Sequence, residues 1–77
     1  MRNVMVTATE QILAQAQRAL TESTFHDIRL LEVEQEDGRL ILHGKVSCYY
    51  HKQQAQEAVR SVAGDLVVEN QIAVQNR

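Results

Sequence analysis

Apolar side chains recur along this chain with two different periods, and the switches between them divide it into elements. Ile12, Leu13, Ala16, Ala19 and Leu20 fall three and four apart, which is one face of a helix. Glu10, Gln11, Gln15, Gln17 and Arg18 take the other side. Thr7 followed by Glu10 forms a capping box, in which each side chain satisfies a backbone donor that the first turn leaves open. The pattern predicts a short arm over residues 1–6 and a first helix over residues 7–21. Thr21-Glu22-Ser23-Thr24 ends that helix in residues that favour turns, with Phe25 and Ile28 anchoring the connection.

From Arg29 the period shortens to two. A strand is expected over residues 29–35, and Asp37-Gly38 is the dipeptide preferred in two-residue hairpin loops. That loop sets Val33 against Leu42 and Gln35 against Leu40, on the same face as Leu31, Gly44 and Val46. It places Glu36 opposite Arg39, Glu32 opposite His43 and Leu30 opposite Lys45 on the other face. The first face is buried and the second carries cross-strand charge pairs, so turn chemistry and hydrophobic pattern fix one register. Gly44, on the buried side, marks a close approach, expected where a helix crosses the sheet. Ser47 is the expected cap of a second helix running to Val62, with Cys48, the Lys52 stem, Ala55, Ala58, Val59 and Val62 facing inward. Gly64 ends it. A last strand follows over residues 66–74, with Leu66, Val68, Asn70, Ile72 and Val74 sharing the inner parity.

The fold class is therefore α+β: a single α-β-β-α-β domain, a three-stranded mixed sheet with two helices packed on one face. A right-handed crossover makes the last strand parallel to the second; which neighbour it pairs with is left open. On the uncovered face Leu30, Ile41, Val67 and Ala73 are scattered among polar residues and could mark a docking patch.

Composition narrows this picture. With 77 residues there is one domain (1–77, core about 8–75) and one core. Phe25, Tyr49 and Tyr50 are the only aromatic residues, so that core is aliphatic. A net charge of −2 argues against a nucleic-acid partner, which calls for a basic face. Cys48 is the single cysteine, which rules out a disulfide within the chain. No apolar run reaches transmembrane length. The start lacks a signal-peptide pattern, so a cytoplasmic location is expected, or a periplasmic or envelope-associated one if the start is truncated.

The ordered run Leu31-x-Val33, Gly38, Leu40-x-Leu42-x-Gly44-x-Val46-Ser47 resembles the BON domain (bacterial OsmY and nodulation). So does its continuation Ala55-x-x-Ala58-Val59-x-x-Val62-x-Gly64-x-x-x-Val68-x-Asn70-x-Ile72-x-Val74. The resemblance covers residues 8–75 and implies the same α-β-β-α-β unit. It also implies a noncatalytic bacterial module that binds phospholipid surfaces or a protein partner, in envelope or osmotic-stress maintenance. The family offers no catalytic residues to carry over, and none of its tandem copies or export signals is evident here.

The stretch Lys45, Ser47, Tyr49, Tyr50 and Lys52 is the candidate ligand- or lipid-binding site. A helix N-terminus presents free N–H groups that suit phosphate, lysines add charge, and tyrosines suit a membrane interface. The bland alternative is a capped helix with one packed tyrosine and solvated lysines. Cys48-x-x-His51 with His43 supplies three metal-ligand types but no fourth, so no metal and no cofactor are expected. Cys48 with His51 lacks the third group and the cleft of a nucleophilic site, and Glu32–His43 is too exposed for an acid–base pair, so the chain is not read as an enzyme. Two other binding readings stand beside the lipid one: a self-associating structural or adaptor module, forming a homodimer, and a KH-like RNA-binding unit. The latter lacks the Gly-x-x-Gly loop and basic surface such domains use.

Overall fold

A computed structural model describes residues 8–75. In chain order the elements are α1 (Ala8–Thr21), α2 (His26–Arg29), β1 (Glu32–Glu36), β2 (Arg39–His43), β3 (Lys45–Val46), α3 (Tyr49–Arg60), β4 (Val67–Asn70) and β5 (Ala73–Val74). Thr7, the expected cap of α1, and the arm 1–6 lie outside the described residues.

The hairpin forms in the expected register. Glu32 faces His43, Val33 faces Leu42, and Glu36 faces Arg39. Asp37 and Gly38 both have positive φ, 51° and 77°, the backbone signature of a tight turn whose twist matches its strands. β4 then lies parallel to β2, Leu40 against Val68 and Leu42 against Asn70, giving the strand order β1-β2-β4. β5 continues parallel beside β3, Val46 against Val74. The last strand is thus two pieces that follow the two pieces of the second strand, which breaks at Gly44. The inner parity holds throughout: Ile72 is fully buried, and Leu66, Val68 and Val74 pack against the core.

Both long helices cover the same face. Ala16 and Leu20 of α1, Ala55 and Val59 of α3, and Leu31, Leu40, Leu42 and Val46 from the sheet side form one aliphatic core. Alanine at the helix contact positions lets the backbones sit close while the leucines fill the space between layers.

Several local expectations fail, each for a tertiary reason. Residues 26–29, read as a connection leading into a strand at Arg29, form the helical turn α2, and β1 begins only at Glu32. There Ile28 drops into the core, 2% exposed, and Asp27 finds partners on the next segment, so packing overrides local strand preference. The second helix begins at Tyr49, not after a Ser47 cap, and ends at Arg60 instead of Val62. Gly44 meets the side chain of Leu31 and not a helix: a Cβ there would come within 2.5 Å of Leu31 Cδ2, and its φ is +131°. On the open face Arg39 reaches across to Glu69 of β4 instead of Glu36. His43 leans toward Glu34, its Nε2 3.4 Å from Oε1, although Glu32 is its Cα partner. Ile41, between these charged neighbours on the middle strand, is only 5% exposed, and Leu30, expected opposite Lys45, instead ends α2 outside the sheet, so Val67 is the exposed large member of the expected open-face patch.

The two edges of the sheet are treated differently. Along β1, the Gln17 amide of α1 acts as a clamp: its Nε2 donates to Leu31 O at 3.1 Å, and its Oε1 accepts from Val33 N at 3.1 Å. Those backbone groups are thereby closed to any further strand. At β4 the Asn70 side chain turns inward, donating to Lys52 O and Gln56 Oε1 and accepting from Ile72 N. That ties the strand to α3 but leaves its outer backbone alone.

Candidate functional site

The start of α3 is organised by a residue far upstream of it. Asp27 projects from α2, and its Oδ2 accepts three hydrogen bonds: from Ser47 N at 2.9 Å, from the Ser47 hydroxyl at 3.0 Å, and from His51 Nδ1 at 2.9 Å. Burial alone would push the Asp27 pKa up. The hydrogen bonds from His51 and from the Ser47 amide and hydroxyl, with the His51 charge, outweigh that and bring it from an ordinary 3.8 down to about 2. Its other oxygen, Oδ1, is shut away from water and takes no hydrogen bond among the described residues.

The His51 ring lies against Phe25, with centroids 4.3 Å apart at a 33° tilt. Tyr50 meets Phe25 edge-on at 6.0 Å, an arrangement the ring quadrupoles favour. Ser23 Oγ in turn accepts from Phe25 N at 3.1 Å, fixing the entry to α2. A rigid floor of Phe25, His51 and Asp27 therefore supports the first turn of α3. Tyr49 and Tyr50 stand above it, 62% and 56% exposed.

Of the expected site residues, Tyr49 and Tyr50 share this turn, Lys45 and Ser47 are exposed on the approach to it, and Lys52 is half-buried. A shallow cavity of about 210 Å³ between Asp27, Lys45, Val46, Ser47 and Gln75 adjoins it. The role expected of Ser47 is corrected: Cys48 is the residue before the helix, no side chain caps it, and Ser47 spends both its donors on Asp27. An anion approaching Ser47 N therefore meets a carboxylate already in place, which shifts the weight of the site from the helix end to the tyrosines and lysines.

The chemistry open to this cluster is limited. Ser47 Oγ donates to Asp27 and not to His51, so the imidazole is not placed to take the hydroxyl proton as a nucleophilic mechanism needs. His51 is engaged by Asp27 and Phe25, and among the described residues no group of three or more His, Cys, Asp or Glu side chains is gathered to hold a metal ion. Asp27 and Phe25 were the residues least accessible to sequence reasoning as site components. Asp27 is twenty residues from Ser47, and no local spacing announces the contact.

Comparison with known families matches residues 8–76 to the BON domain. Among curated proteins no match is found. Among the described residues no helix is long and apolar enough to cross a membrane.

Proposed function

The chain belongs to the BON domain family, noncatalytic modules often linked to phospholipid membranes, and on that footing we propose that it docks on an anionic phospholipid surface through the start of α3. The observation that carries the reading is the pair Tyr49 and Tyr50, both more than half exposed on one turn, with Tyr50 backed by Phe25 and His51. Amphipathic rings presented on a rigid base suit the headgroup layer, where an apolar body and a polar tip are both accommodated. Lys45 precedes the turn and Lys52 follows it, and each lysine near an anionic surface adds about 1 kcal/mol. The Asp27 charge opposes this least in the arrangement seen, because His51 and Ser47 already satisfy the oxygen that faces them.

Flotation with phosphatidylglycerol–phosphatidylcholine vesicles tests the proposal. The parent protein should float with vesicles containing phosphatidylglycerol and less so with phosphatidylcholine alone. Removing both lysines (K45A with K52A) should weaken binding about fivefold per lysine, and added salt should mimic that loss. Replacing both tyrosines by serine should weaken binding at every salt concentration. A parent protein that stays in the dense fraction with either vesicle would sink the proposal.

A further inference from the structure

The far end of α3 carries a second feature, independent of the surface just described and about 16 Å from it along the helix axis. A groove of about 370 Å³ runs between the last turn of α3 and β4, with Gln56, Arg60, Gly64, Leu66 and Val68 on its walls. Among the described residues β4 is an outer strand, bonded to β2 alone. Its inward bonds come from alternate residues: Val67 N donates to Gly38 O and Gln71 N to Leu42 O. Strand geometry then turns the N–H and C=O of Val68 and Asn70 the other way, toward the groove side. Neither backbone has another hydrogen-bond partner among the described residues.

We infer that this groove receives an extended acidic peptide of a partner protein, which adds a strand beside β4 and sets a carboxylate on Arg60. Three observations carry the inference together. The β4 edge offers unpaired main-chain donors and acceptors, the requirement for strand addition. The groove beside it has apolar footing from Leu66 and Val68 for alternate side chains of the peptide. Arg60 lines the same groove, its guanidinium has no ion-pair or hydrogen-bond partner among the described residues, and it is suited to a two-point grip on a carboxylate.

A second copy of the chain is a poorer occupant. The β1 edge, whose Glu32, Glu34 and Glu36 would supply the negative charge, is closed at Leu31 and Val33 by the Gln17 clamp. Two β4 edges paired antiparallel about Glu69 would set Leu66 and Val67 against Ile72 and Gln71, and no carboxylate would reach Arg60. The contrast between a closed acidic edge and an open edge beside a free arginine favours a foreign strand.

The test is an amide NMR titration of the whole chain with a capped hexapeptide, Val-Thr-Glu-Thr-Val-Thr, whose valines and glutamate share the face turned to the groove. Parallel arms use the glutamine analogue and a glutamate peptide N-methylated at its central residues. Saturable shifts should centre on Val68, Asn70 and Gly64 and leave Tyr49 and Tyr50 unmoved. Arg60→Gln, an exposed substitution whose folding is checked by circular dichroism, should weaken the glutamate peptide about tenfold, the scale of one charge-assisted pair. It should leave the glutamine peptide unchanged, and N-methylation should abolish binding. Absence of saturable shifts, equal affinity for the two peptides, or indifference to N-methylation would overturn the inference. So would slow hydrogen exchange of the Val68 and Asn70 amides in the free protein, which would mean that the edge is already paired by the chain itself.

Discussion

His51 Nδ1 stands 2.9 Å from Asp27 Oδ2, the same oxygen that holds the amide and hydroxyl of Ser47. One carboxylate thereby fastens α2, the segment after β3 and the first turn of α3 to one another. Because folding holds the Asp27 pKa near 2 instead of 3.8, the folded state favours the ionised form. That contribution is present in full above about pH 4 and is lost as pH falls toward 2. Its size is on the order of 2 kcal/mol, from a difference of nearly two pKa units. Urea melts of the parent and Asp27→Asn should differ by about that amount at pH 6 and converge as pH falls through about 2. A difference that stays constant across that range would contradict this assignment.

Gly44 is constrained twice over. Its φ of +131° is strained for any residue with a side chain, and a Cβ would meet Leu31 Cδ2 at 2.5 Å. Leu31 is itself buried, 2% exposed, and has no room to swing aside. Gly44→Ala should cost about 2–4 kcal/mol, combining backbone strain with overpacking. Adding Leu31→Ala should relieve the steric share but not the backbone share, so a double-mutant cycle in denaturant should show coupling that falls short of full rescue.

Gln17 is a polar residue on a helix, yet it closes the edge of β1. Gln17→Leu should cost about 1–2 kcal/mol, since two backbone groups lose their partners. Hydrogen exchange at the Val33 amide should accelerate by more than the global loss of stability explains. An unchanged Val33 protection factor would show that the clamp is incidental.

Asn70 ties β4 to α3 through donors that an aspartate lacks. Asn70→Asp should destabilise the domain by about 1–3 kcal/mol, because Lys52 O and Gln56 Oε1 lose the Nδ2 donor and face an acceptor instead. Asn70→Ala should cost less than Asn70→Asp. The reverse order in thermal melts would count against this reading.

Much of the fold could be read from short-range chemistry. Asp37-Gly38 dictated a turn with positive φ at both residues, and the alternation around it fixed which side of each strand faces the helices. The inner parity of Leu66, Val68, Ile72 and Val74 followed from the same logic. What escaped was set by contacts between distant segments. Residues 26–29 have no helical period of their own, and only the burial of Ile28 and the reach of Asp27 to Ser47 select a turn of helix there. Arg39 had an acidic partner in the hairpin, but the parallel placement of β4 offered Glu69, and sequence left that neighbour open. At the site, Lys45, Tyr49 and Tyr50 were legible as exposed chemistry beside a helix start, whereas the half-burial of Lys52 and the Asp27–Ser47–His51 fastening were not.

The division of the last strand at residues 71–72, matching the break at Gly44, bears on how the chain is made. Leu40 meets Val68 across 28 residues and Val46 meets Val74 across the same interval; parallel pairing of this span closes a long loop before any bond forms. During synthesis the hairpin and α3 emerge first, with one side of β2 and β3 still bare. The nascent chain thus exposes an apolar, unpaired strand until residues 67–74 leave the ribosome, and in that interval it is most open to chaperones and to misassociation.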